Sequence, residues 1–455
     1  MKVLLIQAPL NKKGGLLSVF PLGLAYLSGA LKNHEVTVLD PNACDNPLEE
    51  VKKNLSQVNP DVIGLSLRNI DTAISTDSYS FFSSFEALTK LVHENRSDAK
   101  IIVGGTGFSI FPREIMQRFS ELDYGLFLEG EETFPRLLDN LDRPERVPSI
   151  FYRKDGKMHF SGKGALVDFA ALDTPPRDLK GLDLDWYRKI PQSIGVQTKR
   201  GCAFRCAYCI YPYLQGRNIR LRSPKKVVDE VENLVDNFGV KHVFFADTIF
   251  NYPFDHTREI CKELKNRKVN VKWGGWFRED FVNKNFLVEA QKAGCICFEF
   301  SPDGTSQRSL DVLQKGITIQ DIKRTCELIA QVEEAKVNYN FLRNVPGEDL
   351  QSVSSFHKLL SWIMAKNLKQ IGFIGLNSIR IYPHTAIYQT ALDKGYIKAG
   401  QDLIKPTFYD PYPLNAAYLP ARCANYLYLK MHNQPNFLFN PLKMLRSIMP
   451  RKGLF

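Results

Sequence analysis

Short apolar runs of strand length recur along this chain, and a stretch of helical composition separates each from the next. That alternation admits few folds. In the first 140 residues the runs are Val3–Gln7, Val36–Leu39, Val62–Leu67, Ile101–Val103 and Tyr124–Leu128, with Leu22–Leu31 as a helix between the first two. Continuous apolar strands joined by helices predict a parallel sheet covered on both faces, a doubly wound α/β fold of the Rossmann-like or flavodoxin-like kind. Such sheets hold ligands at the carboxyl ends of their strands. Gly104, Gly105, Gly107, Gly130 and Glu131 fall at those ends.

The alternation resumes from Gln192 to about Thr390. Strands are expected at Gly195–Thr198, His242–Ala246, Val271–Trp273, Cys295–Phe300, Val337–Leu342 and Ile371–Ile381. The helix Pro224–Phe238 has one apolar face at three- and four-residue spacing, with Ser223 as its cap and Pro224 at its first position. Six βα units of this length predict a partial (β/α)6 TIM-like barrel, with reactive groups at the strands' carboxyl ends. Between the two regions, prolines 144, 148, 175, 176 and 191 mark a connector. Ser149–Arg153 and Met158–Ser161 could pair as a hairpin within it. The expected organisation is therefore 1–140, a connector 141–191, a barrel 192–390 and a C-terminal extension 391–455. Two to four domains suit 455 residues at roughly 100–200 residues each.

The first residues, MKVLLIQAPL, read as a buried strand and not as an export signal. No segment approaches the roughly 18 uninterrupted apolar residues of a spanning helix. A cytoplasmic chain is expected, and its nine cysteines should be reduced. Cys44, Cys261, Cys295, Cys297, Cys326 and Cys423 are scattered among apolar neighbours and read as small core residues. The net charge of +11 favours an anionic partner without choosing among nucleic acid, membrane surface and phosphorylated ligand. The tail Leu438–Phe455 mixes apolar residues with Lys443, Arg446, Arg451 and Lys452, a candidate contact with a membrane surface.

Cys202, Cys206 and Cys209 stand at C-x3-C-x2-C spacing, at the end of an expected strand. Structural zinc sites usually take four ligands in paired sets, and no second C-x-x-C is present. Three thiolates on one short loop suit an iron–sulfur cubane with one iron left open to a chelating substrate. Arg200 and Arg205 could offset its charge.

At this loop the sequence resembles the radical S-adenosylmethionine (SAM) superfamily, over about residues 192–390. The resemblance implies that the three cysteines hold a four-iron, four-sulfur cluster whose free iron chelates the amino and carboxylate groups of SAM. It implies that Tyr208 approaches the adenine and that Asp247, in Phe245–Phe250, lies near the methionine part. Glu299 and Ser301 match a fourth-strand G-x-E-S-G, the motif of the ribose contact, in type, but Pro302 and Asp303 depart from it. Leu313–Thr318, Pro346–Glu348 and Pro383–Thr385 resemble the superfamily's later L-x-K-G-x-T, P-G-E and P-x-T motifs. An external electron donor such as flavodoxin or ferredoxin is implied as well.

Residues 1–140 resemble the cobalamin-binding domain placed before some radical SAM domains, through Pro21–Leu27, Pro60–Ser66, Val103–Gly105 and Glu129–Phe134. The resemblance assigns Ser66, Gly104, Gly105, Gly130 and Glu131 to the cofactor, the glycines letting backbone pass close to a corrin. Many such domains carry D-x-H-x-x-G, whose histidine binds cobalt from below. Here Asp40–Asp45 has neither that histidine nor that glycine, which implies cobalt without a protein imidazole. Arg68, at the third strand's end, either faces the corrin or pairs with Asp71.

Together these resemblances imply a cobalamin-dependent enzyme that methylates an unactivated carbon through methylcobalamin and a 5′-deoxyadenosyl radical. The alternative is a ring-forming or rearranging enzyme with the same cofactors, and a more distant one a non-catalytic cobalamin or metal sensor. A tRNA methylthiotransferase would need three further cysteines ahead of the barrel, and residues 1–201 hold only Cys44. Nucleic acid is therefore not the expected partner. No motif distinguishes a small-molecule, lipid or peptide substrate.

Overall fold

Val3, Leu4, Leu5 and Ile6 are all inaccessible to solvent, so the first strand is covered on both faces. Its alternating side chains feed two different cores. Val3 and Leu5 pack with Leu24, Phe134 and Leu137, and Leu4 and Ile6 pack with Val51, Leu55, Phe85 and Leu88. The computed structural model describes residues 1–9, 19–75, 78–332, 335–367, 369–410, 414–421 and 423. The basic tail Leu438–Phe455 lies outside the described residues.

In the first sheet, β1 (Lys2–Gln7) lies between β2 (Glu35–Leu39) and β3 (Val62–Ser66), followed outward by β4 (Lys100–Gly104) and β5 (Tyr124–Leu126), all parallel. The order 2-1-3-4-5 is the flavodoxin-like one, with its switch point at β1 and β3. The hairpin expected in the connector forms as β6 (Ile150–Lys154) and β7 (Lys157–Phe160). It pairs antiparallel onto β5 and completes this sheet.

The second sheet follows chain order from β8 (Gly195–Val196) through β11 (His242–Phe245), β12 (Lys272–Phe277), β13 (Cys295–Asp303), β14 (Lys336–Arg343) and β15 (Ile371–Arg380). All six are parallel with helices between them, and β16 (Phe408–Tyr409) closes the far edge antiparallel to β15. A separate ribbon, β9 (Lys199–Arg200) with β10 (Arg220–Leu221), flanks the cysteine loop. The first barrel strand stops two residues short of the expected Thr198, because the Thr198 N–H donates to the Asp247 carboxylate (2.8 Å) and not to a neighbouring strand.

The two sheets share their apolar cores. One cluster runs from Val3 and Leu5 to Val196, Val243 and Trp273; the other runs from Leu4 and Ile6 to Ile210, Ile379 and Ile387. The loop after β3 also crosses to the barrel. Ser75 donates to Asn377 through its N–H and its hydroxyl (both 2.7 Å), and Arg380 Nε donates to Asp71 (2.8 Å). Among the described residues no helix is long and apolar enough to cross a membrane.

Candidate active site

The cysteine loop leaves β9 at Gly201, whose φ of 97° and whose Cα lying where a Cβ would meet the Asn218 carbonyl at 2.2 Å both require glycine. Backbone bonds then fix the loop: Cys202 N–H to the Gly216 carbonyl (3.0 Å), Ala207 N–H to Leu313 (2.8 Å) and Ile387 N–H to Ala207 (2.9 Å). Cys202 is buried, and Cys206 and Cys209 are half-buried. Burial pushes the Cys209 thiol up to about 12, and the nearby Cys206 and Cys202 add to this, although the Tyr211 N–H opposes it. Burial raises Cys206 too, against the cations of Lys315 and Arg278. Thiols so placed become thiolates readily only with a cation bound to them, which iron supplies.

Among the described residues no three His, Cys, Asp or Glu side chains close on one point as a single-ion cage does. A cubane needs no such convergence, since each thiolate binds a different iron. Two orphaned polar groups lie behind the loop. Arg278 sits 4.0 Å over the Phe204 ring with its Nη1 unpartnered, and the fully buried Glu279 has both carboxyl oxygens unpartnered among the described residues. Burial pushes Glu279 up to about 7, with Lys315 opposing. The three thiols, the cations at Cys206 and these unmet groups fit a cluster with a zwitterionic chelate on its open iron.

The residues expected around that chelate divide into two groups. The Tyr208 hydroxyl donates to Asp303 at the carboxyl end of β13, and Lys315 Nζ reaches the same carboxylate at 2.5 Å. The sequence marked Asp303 only as a departure from the fourth-strand motif and Lys315 only as the lysine of Leu313–Thr318, and it placed neither beside Tyr208. The available signal was an acidic residue just before Gly304, where a Cβ would meet Leu310 at 2.6 Å. Glu299 and Ser301 lie further back on β13, on the half-exposed face of an alternating strand. Glu299 accepts from Asn338 (2.5 Å) and from the Cys297 thiol (3.5 Å), and burial raises its pKa. Asp247 is turned toward the start of the cysteine loop. It accepts from the Thr198 hydroxyl (2.6 Å) and the N–H groups of Thr198 and Lys199, and pairs with Lys199 Nζ at 3.2 Å.

At the carboxyl end of the first sheet, Ser66 is half-buried and Gly104 follows on β4. Gly105 and Gly107 bring chain against chain: a Cβ on either would meet the Leu67 carbonyl, at 2.7 and 2.8 Å. Gly130 lets its loop close on Leu27, which a Cβ would meet at 2.9 Å. Glu131 points across to the barrel side and accepts from Arg200 Nη2 at 2.7 Å. Burial alone would raise its pKa, but Arg200 outweighs burial and the net shift is downward. In the segment lacking a histidine, Asp40 caps a short 3-10 turn and accepts from the Tyr187 hydroxyl.

Arg68 does not pair with Asp71, whose carboxylate is taken by Arg380 and the Ala73 N–H. Its guanidinium has no carboxylate partner among the described residues, though Asp40 and Tyr211 lie near enough to act on it. Arg68 and Tyr211 are both exposed, 45% for Tyr211, yet many protein atoms surround each of them. Burial accordingly lowers the pKa of Arg68 and raises that of Tyr211. Exposed surface in crowded surroundings marks a recess. Arg68 enters it from β3, and Tyr211, two residues beyond Cys209, enters from the barrel. A cation without a carboxylate partner among the described residues, beside a segment without histidine, would suit a bound cobalamin.

Two family models match the chain: the B12 binding domain over residues 16–138 and the Radical SAM superfamily over 196–359. Among curated proteins, the chain is 26% identical over 383 residues to an uncharacterised methyltransferase of Pyrococcus horikoshii, covering 82% of this chain and 78% of that one. It is 28% identical over 360 residues to the anaerobic magnesium-protoporphyrin IX monomethyl ester cyclase of Rubrivivax gelatinosus, covering 74% of this chain and 61% of the cyclase. Among solved structures, it superposes on the radical SAM methyltransferase TsrM of Kitasatospora setae with a TM-score of 0.76 at 21% identity, covering 86% of this chain and 76% of TsrM.

Proposed function

Because the chain belongs to the radical SAM superfamily and carries a B12-binding domain ahead of its barrel, we propose that it methylates an unactivated carbon of a substrate held between its two sheets. Cobalamin, a four-iron, four-sulfur cluster and SAM are its cofactors; when bound, they supply a transferable methyl group and a hydrogen-abstracting radical. Cys202, Cys206 and Cys209 hold the cluster. Tyr208, fixed by Asp303, borders the adenine, while Ser301 and Glu299 line the barrel beyond it. Asp247 braces the strand end from which the loop departs. Ser66, Gly104 and Gly105 shape the edge on which the corrin rests. We take the cobalamin unit to include the hairpin that completes its sheet. A flavodoxin or ferredoxin supplies the electron.

The observation that carries this reading is Arg68. Its guanidinium, without a carboxylate partner among the described residues, stands close to Asp40, where the segment that lacks the histidine begins. A cation there would disfavour water or a base beside the bound cobalamin and would favour the electron-rich state that accepts a methyl group. In Arg68→Ala the electron paramagnetic resonance spectrum of bound cob(II)alamin should change from four-coordinate to water-ligated. Identical spectra would remove Arg68 from the cobalt.

Anaerobic reconstitution followed by mass spectrometry tests the reaction itself. Incubation with SAM carrying a deuterated methyl group should give a product heavier by that group. A cyclised product of unchanged carbon count would support a second reading, oxidative ring closure, which the similarity to the Rubrivivax gelatinosus cyclase favours.

A further inference from the structure

The carboxylates of Glu129 and Glu131 leave the first sheet and end on the ribbon that carries the cysteine loop. Arg220 grips Glu129 with both terminal nitrogens, at 2.7 and 2.8 Å. Arg200 spans the two carboxylates, 2.7 Å from Glu131 and 3.4 Å from Glu129. Arg200 and Arg220 are direct cross-strand partners of β9 and β10, so one pair of acids holds both strands of the ribbon. The connector completes the joint: the Val167 N–H donates to Glu129 (2.9 Å), Arg220 donates to the Val167 carbonyl (2.6 Å), and Phe169 stacks 4.4 Å from the Arg200 guanidinium, with Tyr26 at 5.0 Å.

Two placements give this joint a task. At one end, residues 129–131 follow β5 at the carboxyl edge of a doubly wound sheet, the edge where such sheets seat their ligand. At the other end, Gly201 alone separates Arg200 from Cys202. The side chains of both arginines and both glutamates are at least 84% buried, and all four are held by hydrogen bonds of fixed direction. An Arg–carboxylate fork transmits position because its two parallel bonds resist rotation as well as translation. A mobile or solvated pair would not.

We propose that Glu131 and Glu129 are positioning residues that set the cysteine loop through Arg200 and Arg220, so that occupancy of the cobalamin edge and of the cluster loop are energetically coupled. The proposal rests on the cofactor reading above. A reaction that uses both cofactors on one substrate carbon needs their separation fixed to within roughly 0.5 Å. The shared apolar core gives proximity, and the clasp gives register.

Coupling is reciprocal, so it can be read from binding without any substrate. Hydroxocobalamin is titrated by equilibrium dialysis into the full-length protein, once with its cluster reconstituted and once after chelation of iron. In the wild type the two dissociation constants should differ by about fivefold or more. In Glu131→Gln the difference should shrink to within about twofold, at unchanged iron content in the loaded form. Glu129→Gln, which leaves the Arg200–Glu131 bond in place, should retain part of the difference and serves if Glu131→Gln does not fold. Glu35→Gln, which removes an exposed 2.7 Å pair between β2 and Lys180 of the connector, should leave it whole. Equal constants in the wild type, or an undiminished difference in both clasp variants, would overturn the proposal. Absence of any hydroxocobalamin binding would instead overturn the cofactor reading on which it rests.

Discussion

Replacing Cys202, Cys206 and Cys209 together by alanine is expected to leave a folded chain that binds cobalamin, holds no iron and forms no 5′-deoxyadenosine. Folding survives because backbone bonds hold the loop. The Cys202, Ala207 and Ile387 N–H groups keep their carbonyl partners whatever the side chain at the cysteine positions. Alanine at these positions also removes the Cys206 and Cys209 thiols, which burial makes hard to ionise, so the loop loses little in the iron-free state. Chemistry does not survive, because no other side chain in the loop can take over an iron. Turnover should fall to the uncatalysed level, a loss of at least about 10⁶-fold. Iron and sulfide analysis, with 5′-deoxyadenosine measured by mass spectrometry under a strong reductant, decides the matter. Wild-type iron content in the triple variant would move the cluster elsewhere.

The second large effect is expected at Asp247. Its carboxylate accepts from Thr198 and Lys199 and neutralises the buried Lys199 ammonium. Burial lowers the pKa of Lys199, and Asp247 opposes that shift. Asp247→Ala leaves the ammonium with the Phe250 carbonyl but no counter-charge in the protein interior, which costs about 3–5 kcal/mol. The ribbon leading to Cys202 loses one of its anchors as well. The expected result is a large drop in the urea midpoint together with loss of iron on gel filtration. A residue whose only task was to touch SAM would behave differently: the midpoint would stay, and SAM affinity alone would fall. Wild-type stability in Asp247→Ala would therefore return this residue to the cofactor.

The strands were legible in the sequence because their apolar runs are buried on both faces, as at Val3–Ile6. The cysteine loop was legible because its three cysteines lie within eight residues of one another. What could not be read depends on contacts between distant parts of the chain. Asp247 stands at a strand end, and its bond from Thr198, 49 residues earlier in the chain, could not be read from the local sequence. On β13 the pairing register shifts between Phe300 and Asp303, and the strand runs on three residues beyond its expected end. That extension makes Asp303, and not Glu299, the acidic group beside Tyr208. Glu131 follows a glycine at a strand end and so resembles a ligand contact. Its partner Arg200 lies in another unit, and no local periodicity announces a bond of that range.

The continuity of the two apolar cores bears on how such a chain can be recombined. A module that can be exchanged needs a polar boundary, so that its cut face tolerates water or a foreign neighbour. Here, beside the polar clasps, Ile210, Leu214, Ile379 and Ile387 of the barrel side belong to one continuous apolar cluster with Leu4 and Ile6. Transplanting either half alone would expose an apolar face shaped for one mate. Chimaeras in this architecture should therefore succeed only when the cobalamin half, the connector and the barrel face travel together. New substrates would then arise by changes within the recess, and not by shuffling of the halves.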